Sequence, residues 1–242
     1  LLGLDEEGKV HFFGGDILGA VVAQSLGVDA VAVPISANDM IDELFGANPG
    51  VALRHTRIGS PWVIAAMAEM EGARRVGWEA NGGFLTGTAI ELQGTNLAAL
   101  PTRDAVLPLV AALHAAQRES LTLVERFAQL PRRFSRAGLL DEVPPAESRA
   151  ILRCYGLPEG MRKVTFGGAG VEIAAEDHRG VSIALDGAVL AASRALKDRL
   201  EAVFGASEGF AALTSIDVLD GIRLRFDNGD VAHVRPSGNA PQ

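Results

Sequence analysis

The clearest structural signal in this chain is the segment Asp29-Ala30-Val31-Ala32-Val33-Pro34-Ile35-Ser36-Ala37-Asn38-Asp39. Its first seven residues form a short apolar run, which is typical of a strand that a parallel sheet buries on both faces. The polar residues 36–39 then predict the start of a helix, because Ser, Asn and Asp side chains accept hydrogen bonds from the free N–H groups of a first helical turn. A buried strand followed directly by a helix predicts a layered α/β domain.

The same order of elements repeats on both sides of this segment. On its N-terminal side, Asp16 is expected to cap a helix that Gly27 ends. On its C-terminal side, Ser60 is expected to cap a helix over residues 62–70. The other elements predicted here are strands at 51–56 and 75–78, a glycine-rich loop at 79–83 and helices at 105–117 and 121–130. Alternating strands and helices predict a mixed sheet between layers of helices.

The second half of the chain predicts a different architecture. A basic, proline-punctuated stretch at 131–145 is expected to hold the boundary, which gives domains of residues 1–132 and 133–242. Asn228-Gly229 is a strong hairpin signal between two alternating apolar segments. Helices are expected at 146–155 and 189–203, and strands at 163–166, 171–174, 214–218, 222–226 and 231–234. This pattern predicts an α+β domain with an antiparallel sheet.

Composition and charge limit the possible functions. The 242 residues are 48% hydrophobic and 21% charged, as in ordinary globular proteins, and carry a formal net charge of −8. This acidic balance predicts no nucleic-acid partner and no membrane partner, so a bound phosphate needs local positive groups. No apolar run is as long as a membrane span, and a cytoplasmic location is expected.

Histidine and cysteine give no evidence of a metal site or an internal disulfide. The five histidines show no metal-ligand spacing, and the chain has one cysteine. Cys154 lies in an apolar helical pattern and is predicted to be a core residue. We therefore assign no metal ligand within this chain.

Two loops of the first domain carry residues suited to binding sugars and anions, at the strand ends where α/β sheets usually bind ligands. The loop at 79–83 offers the Glu79 carboxylate and the Asn81 amide, which can hydrogen-bond sugar hydroxyls. Arg57 and Ser60 lie beside a predicted helix N-terminus, which attracts anions. The alternative interpretations are a wide turn for the first loop and an ordinary surface pair for the second.

The segment Arg235-Pro236-Ser237-Gly238-Asn239 predicts a phosphate-binding loop after the last strand. Arg235 can bind a phosphate through two parallel hydrogen bonds. The Ser237 hydroxyl, the Asn239 amide and backbone N–H groups opened by Gly238 can surround the other oxygens. An ordinary arginine-tipped turn is the alternative interpretation.

Five short motifs, in this order and spacing, resemble the α-D-phosphohexomutases, and among them the bacterial phosphomannomutase and phosphoglucomutase branch. The motifs are Gly15-Asp16-Ile17-Leu18, Pro34-Ile35-Ser36-Ala37-Asn38, Thr56-Arg57-Ile58-Gly59-Ser60, Gly77-Trp78-Glu79-Ala80-Asn81-Gly82-Gly83 and Arg235-Pro236-Ser237-Gly238-Asn239. The resemblance covers residues 1–130 and 189–242 and leaves 156–188 unmatched. It implies the third and fourth of the family's four domains, the fourth being an α+β domain of the TATA-box-binding-protein type with helices on one face.

The resemblance also implies an activity. It is that of an intramolecular phosphotransferase that interconverts hexose 6-phosphate and hexose 1-phosphate, of mannose or glucose, through a bisphosphate intermediate. A phosphoserine, Mg²⁺ held by an Asp-rich loop, and hexose 1,6-bisphosphate as activator belong to that mechanism. The 242 residues contain neither the phosphoserine motif nor the Asp-rich loop. The expected partners are therefore the hexose phosphate and N-terminal domains of the same protein, and the chain alone is expected to be inactive. A non-catalytic sugar-phosphate-binding module is the alternative.

The resemblance assigns substrate-binding roles but no catalytic residue within this chain. The residues that it implies are Glu79 and Asn81 for sugar hydroxyls, Arg57 and Ser60 for the cleft lining, and Arg235, Ser237, Gly238 and Asn239 for the phosphate. Three departures from the family pattern leave the preferred hexose open. Trp78 stands between Gly77 and Glu79, Gly83 replaces a histidine that often closes the sugar loop, and Asn239 replaces the usual threonine.

Overall fold

The computed structural model describes residues 1–92, 94–168 and 172–236, and the chain divides into two compact units, Leu1–Ala137 and Gly138–Gln242. The first unit contains β1 (Leu2–Leu4), β2 (Val10–Phe12), α1 (Gly15–Leu26), β3 (Ala30–Pro34), a π-helical turn (Asp42–Gly46), β4 (Ala52–Thr56), α2 (Ser60–Glu69), β5 (Arg75–Trp78), β6 (Phe84–Thr86), β7 (Ile90–Leu92), β8 (Thr95–Leu97), β9 (Leu100–Asp104), α3 (Val106–Arg118) and α4 (Leu123–Ala128). Within the described ranges, no helix has both the length and the apolar character needed to cross a bilayer.

β3 is the centre of the first unit because it pairs with a parallel strand on each side. It pairs with β4 and β5, and all five of its residues are buried. β5 pairs with β6, and β6 with β9, in antiparallel fashion, so the strands lie in the order β4-β3-β5-β6-β9. β9 therefore runs in the same direction as β3, β4 and β5. We call the side of the sheet where these four strands have their carboxyl ends the strand-end edge.

The side chains of β3 alternate between two hydrophobic cores, as the period of two in a strand requires. Val31 and Val33 belong to the core that includes residues of α1 and α3. Ala30 and Ala32 belong to the core that includes residues of α2. Helices thus cover both faces of a mixed sheet, which confirms the layered α/β prediction.

The prediction for α1 is right at its C-terminus and wrong at its N-terminus. Gly27 ends the helix with a left-handed φ of 60°, a conformation that glycine adopts without steric cost. At the other end Gly14 is the N-cap, and Asp16 lies inside the first turn. The Asp16 carboxylate does not cap its own helix because it accepts a hydrogen bond from the backbone N–H of Asn38, at 3.0 Å.

The remaining helices of the first unit begin close to the predicted positions, with local differences. Ser60 is the first residue of α2 rather than its N-cap, because Gly59 takes that position with a φ of 126°, which suits glycine. The Asn38 side chain does accept the N–H of Met40, but the helix predicted after it is the short π-helical turn. Strands β6 to β9 were not predicted from the sequence.

The second unit is built around one antiparallel sheet, as predicted. Its elements are α5 (Pro145–Cys154), β10 (Lys163–Gly167), β11 (Glu172–Glu176), β12 (Ser182–Ile183), α6 (Gly187–Glu201), a 3₁₀ turn (Ala206–Glu208), β13 (Leu213–Asp217), β14 (Ile222–Phe226) and β15 (Val231–Val234). The strands lie in the order β12-β11-β10-β13-β14-β15. The predicted hairpin joins β14 and β15, with Gly229 at a φ of 84°.

The prediction that Cys154 is a core residue is wrong, because its side chain is exposed. On α5, Leu152 and Tyr155 pack against the core of the second unit. Residues three apart share a helix face, whereas residues two apart do not. Cys154 follows Leu152 by two positions and therefore lies away from the packed face.

A buried arginine joins three segments of the first unit. Arg126 of α4 is 5% exposed, and its guanidinium donates to the side chains of Gln24, at 3.1 Å, and Gln129, at 3.4 Å. Its Nε lies 3.3 Å from the Glu119 carboxylate. Gln24, Glu119 and Gln129 are exposed and can bind water, so the effect of removing this cation comes from the loss of its own hydrogen bonds and ion pair to three segments.

We expect Arg126→Met to lower the free energy of unfolding of the first unit by about 2 kcal/mol, because methionine fills the space but donates no hydrogen bond. Tryptophan fluorescence during urea denaturation reports the unfolding of the first unit, because both tryptophans, Trp62 and Trp78, belong to it. Arg118→Met, at an exposed arginine on α3, is the matched control. Equal stability of the two variants would contradict a structural role for Arg126.

Candidate functional site

The two loops singled out in the first domain lie along the strand-end edge of its sheet. β3, β4 and β5 end at Pro34, Thr56 and Trp78, and these strands are parallel neighbours. The segments that follow them therefore leave the sheet on the same side. This topology places Glu79, Asn81, Arg57 and Ser60 on one edge, as expected for a ligand site in an α/β sheet.

The 79–83 loop is a compact turn with its own hydrogen bonds. The Gly82 N–H donates to the Glu79 carbonyl at 2.9 Å, and the Glu79 N–H donates to the Gly83 carbonyl at 3.2 Å. The Asn81 side-chain oxygen accepts the Gly83 N–H at 3.0 Å. Asn81 is otherwise exposed, so its amide N–H₂ group is free to meet a ligand.

Glu79 is buried at the start of this loop, and its residue is 7% exposed. Its Oε2 atom is buried and has no hydrogen-bond donor among the described residues. Burying a carboxylate oxygen without a donor is unfavourable. A hydroxyl group that donates to Oε2 would remove this cost.

The first turn of α1 supports the same loop from the side of the helix. Gly15 lies so close to the backbone of Ala80 and Gly82 that a Cβ atom there would overlap the Ala80 carbonyl and the Gly82 nitrogen. Next to Gly15, Asp16 connects the helix to the loop after β3 through the Asn38 N–H. One helical turn thus fixes the positions of two loops at the strand-end edge.

Asp16 is 8% exposed, and its Oδ1 atom has no hydrogen-bond partner among the described residues. Burial raises the pKa of the Asp16 carboxyl to about 6, because the charged form loses hydration, while the hydrogen bond from Asn38 acts in the opposite direction. Asp16 therefore titrates in the folded protein at a higher pH than in the unfolded chain.

Arg57 and Ser60 lie at the strand-end edge beyond β4. The Arg57 guanidinium carbon is 5.1 Å from the centre of the Trp62 ring, a cation–π arrangement on an exposed part of α2. Ser60 opens α2 without capping it, so its hydroxyl is not used by the helix end. The neighbouring His55 instead contacts Asp42, with Nε2 and Oδ1 2.7 Å apart.

In the second unit, Arg235 directly follows β15. Its Nη1 atom lies 3.6 Å from the Asp220 carboxylate, and its backbone packs on Gly221, where an added Cβ would lie 2.6 Å from the Arg235 Cβ. His233 contacts the Asp220 carbonyl at 2.6 Å, and burial is the main cause that lowers the pKa of this histidine. The other predicted phosphate-loop residues, Ser237, Gly238 and Asn239, lie outside the described residues.

Arg103, which no sequence motif indicated, also lies at the strand-end edge. It stands near the carboxyl end of β9, and its side-chain stem lies against Gly83. Directly after it, the Asp104 carboxylate accepts the N–H groups of Val106 and Leu107 at the start of α3. No local pattern showed that a strand ends here, because β9 is largely exposed and carries no apolar alternation.

Comparison with known proteins gives a family match and two similar phosphomannomutases. The family described as phosphoglucomutase/phosphomannomutase, alpha/beta/alpha domain III, matches residues 14–134. A phosphomannomutase of Sinorhizobium fredii is 35% identical over 233 residues, which are 94% of this chain and 39% of that protein. A phosphomannomutase of Salmonella muenchen is 31% identical over 240 residues, which are 98% of this chain and 40% of that protein.

A crystal structure of a proposed phosphomannomutase from Thermus thermophilus has the same fold, with a TM-score of 0.50 and 14% identity, covering 98% of this chain and 40% of that one. This likeness shows the layered α/β fold of the chain. The chain belongs to the phosphoglucomutase/phosphomannomutase family of α-D-phosphohexomutases, and the family's third domain lies in its first unit. The chain spans about two fifths of the length of the curated relatives that it matches.

The raised pKa of Asp16 leads to a prediction about stability and pH. Because the pKa in the folded state, about 6, exceeds the value of 3.8 in a model peptide, the stabilisation linked to protonated Asp16 is complete below about pH 4 and is lost as the pH rises through 6. We expect the stability of Asp16→Asn relative to the natural protein to rise by about 2 kcal/mol between pH 4 and pH 7.

Urea denaturation followed by tryptophan fluorescence at pH 4, 5, 6 and 7 measures this difference. Glu71→Gln, at an exposed carboxylate, is the control. It measures how the loss of one exposed negative charge changes the free energy of unfolding. A stability difference between Asp16→Asn and the natural protein that stays constant over this pH range would show that Asp16 does not titrate as described.

Proposed function

We propose that this chain is the sugar- and phosphate-binding part of a phosphohexomutase that interconverts hexose 6-phosphate and hexose 1-phosphate, of mannose or glucose. The observation that carries the proposal is Glu79. It is a buried carboxylate with an unpaired oxygen, in a hydrogen-bonded loop at the edge of the sheet where α/β proteins bind ligands. Membership of the phosphohexomutase family supports a sugar phosphate as the ligand.

Each candidate residue has a proposed role. Glu79 and Asn81 bind sugar hydroxyls, because a carboxylate accepts and an amide both donates and accepts hydrogen bonds. Arg57 and Ser60 line the cleft at the N-terminus of α2. The phosphate is bound by Arg235 together with Ser237, Gly238 and Asn239.

These residues would act by holding and orienting the substrate. Alignment of reacting groups is worth about 7–11 kcal/mol of the barrier in favourable cases. The phosphoserine that donates the phosphoryl group is proposed to come from N-terminal domains, with hexose 1,6-bisphosphate as activator, in the cytoplasm. Without those domains we expect no turnover by this chain.

Mg²⁺, which the family resemblance implies, is proposed to bind to those same domains. Among the described residues, no group of three or more His, Cys, Asp or Glu side chains is placed to hold a metal ion.

The proposal is tested by isothermal titration calorimetry of this chain with glucose 6-phosphate and with mannose 1-phosphate. We expect Glu79→Gln and Arg235→Ala each to weaken binding by about tenfold or more, because each removes a hydrogen bond to a charged group, worth about 1.5–3 kcal/mol. Glu71→Gln and Arg179→Ala, at exposed residues of the same two units, are the matched controls.

Two results would contradict the proposal. The first is the absence of binding by the natural chain at millimolar concentrations of both sugar phosphates. The second is an affinity of Glu79→Gln and Arg235→Ala equal to that of the control variants.

A further inference from the structure

Arg103 reaches the candidate site through the order of strands in the first sheet. β6 runs against β5, and β9 runs against β6, so β9 ends at the same edge as β3, β4 and β5. Asp104 pairs with Phe84, the residue that directly follows the 79–83 loop. Arg103 is therefore placed beside that loop by backbone pairing and not by a mobile side chain alone.

The contact between Arg103 and the loop is close. A Cβ atom built at Gly83 would lie 2.8 Å from both Cγ and Cδ of Arg103, and 3.1 Å from its Cβ. The backbone of Gly83 does not have a positive φ, so the backbone itself would allow another residue there. The stem of Arg103 occupies the space that a side chain at position 83 would take.

The charge of Arg103 is available for a ligand. The residue is exposed, and among the described residues its guanidinium has no hydrogen bond or ion pair. The adjacent Asp104 does not neutralise it through a bond, because its carboxylate accepts the N–H groups of Val106 and Leu107 at the start of α3. A guanidinium with five N–H donors is well suited to a phosphate.

A cation at this edge favours the binding of an anion. The chain has a net charge of −8, and two carboxyl groups, Asp16 and Glu79, are buried at this edge. The negative charge of Glu79 repels a phosphate on the sugar that it holds. Arg103, in contact with the same loop, offsets this repulsion locally.

We propose that Arg103 is a further substrate-binding residue, which contacts the phosphate of a hexose phosphate while the 79–83 loop binds the sugar hydroxyls. This inference rests on the proposed function and extends it to a residue outside the family motifs. It makes the pair of Arg103 and Gly83 a determinant of specificity for anionic over neutral sugars. A side chain at position 83 would displace the arginine that supplies this specificity.

Titration calorimetry of the chain with glucose 6-phosphate, at low and high salt, tests the inference. We expect Arg103→Met to bind about tenfold more weakly, since methionine keeps the stem but lacks the charge. Arg103→Lys should recover part of the affinity, because it restores a cation at the same position. The control Arg118→Met should bind like the natural chain.

The salt dependence separates binding from a structural role. If Arg103 contacts the phosphate, raising the salt concentration weakens binding to the natural chain more than binding to Arg103→Met. If Arg103 only supports the loop, the affinity of the natural chain and that of Arg103→Met fall equally steeply as the salt concentration rises. An equal slope would overturn the inference even if the affinity of Arg103→Met is reduced.

Gly83→Ala gives an independent test that leaves the charge in place. The added methyl group must move the Arg103 stem, so we expect weaker binding of glucose 6-phosphate. Adding Gly83→Ala to Arg103→Met should cause little further loss, because the two changes act on one contact. Fully additive losses would contradict the inference.

The same experiment distinguishes this inference from the proposed function. If Glu79→Gln weakens binding and Arg103→Met does not, the proposed function stands and the role of Arg103 is wrong. If the natural chain binds no sugar phosphate, both are wrong.

Discussion

The parallel pairing of β3 with β4 and β5 is the constraint on which the first unit and its site depend. All five residues of β3 are buried, and its alternating side chains contribute to two cores, one on each face of the sheet. A strand buried in this way has a strongly specified register, because a shift by one residue would exchange the two faces. Once this register is fixed, the ends of the neighbouring strands are fixed with it.

The candidate site follows from those strand ends and from one helical turn. The 79–83 loop begins where β5 ends, and Gly15 of α1 lies directly against its backbone. Because the loop is closed by its own hydrogen bonds and supported by α1, its carboxylate is positioned before a ligand arrives. Such a site loses little conformational entropy on binding.

The strand-end edge also contains two buried carboxyl groups that are electrostatically unfavourable. Asp16 and Glu79 are buried carboxyl groups with unpaired oxygen atoms, an arrangement that lowers stability in the absence of a ligand. Burial raises the pKa of the Asp16 carboxyl to about 6, and groups with perturbed pKa values are concentrated at functional sites. Exposed arginines, Arg57 and Arg103, lie at the same edge and can bind the anionic part of a ligand that the carboxylates would repel.

Much of the fold could be predicted from the sequence because its signals are local. The apolar run of β3, the hairpin at Asn228-Gly229 and the left-handed Gly27 each depend on a few neighbouring residues. The predictions were wrong where contacts between residues far apart in the sequence determine the local structure. Asp16 bonds Asn38, 22 residues away, and Cys154 is exposed because the packed face of α5 lies elsewhere.

The candidate site was predictable to the same extent. Glu79, Asn81, Arg57 and Ser60 follow strands that could be recognised, and their loops were expected at strand ends. Arg103 could not be found in this way, because the exposed strand β9 carries no apolar pattern, and its position depends on pairing with β6. The roles of Ser237, Gly238 and Asn239 remain predictions that rest on the family resemblance.

The central claim is that a sugar phosphate binds at the strand-end edge. The most direct measurement is a titration of ¹⁵N-labelled chain with glucose 6-phosphate, followed by amide chemical shifts. The amides of residues 80–83 and 103–104 should shift together with one dissociation constant, while those of residues 27–29 and 73–74, at the opposite edge of the sheet, should not. Shifts confined to the opposite edge, or unchanged amides at 80–83 under saturating ligand, would contradict the claim.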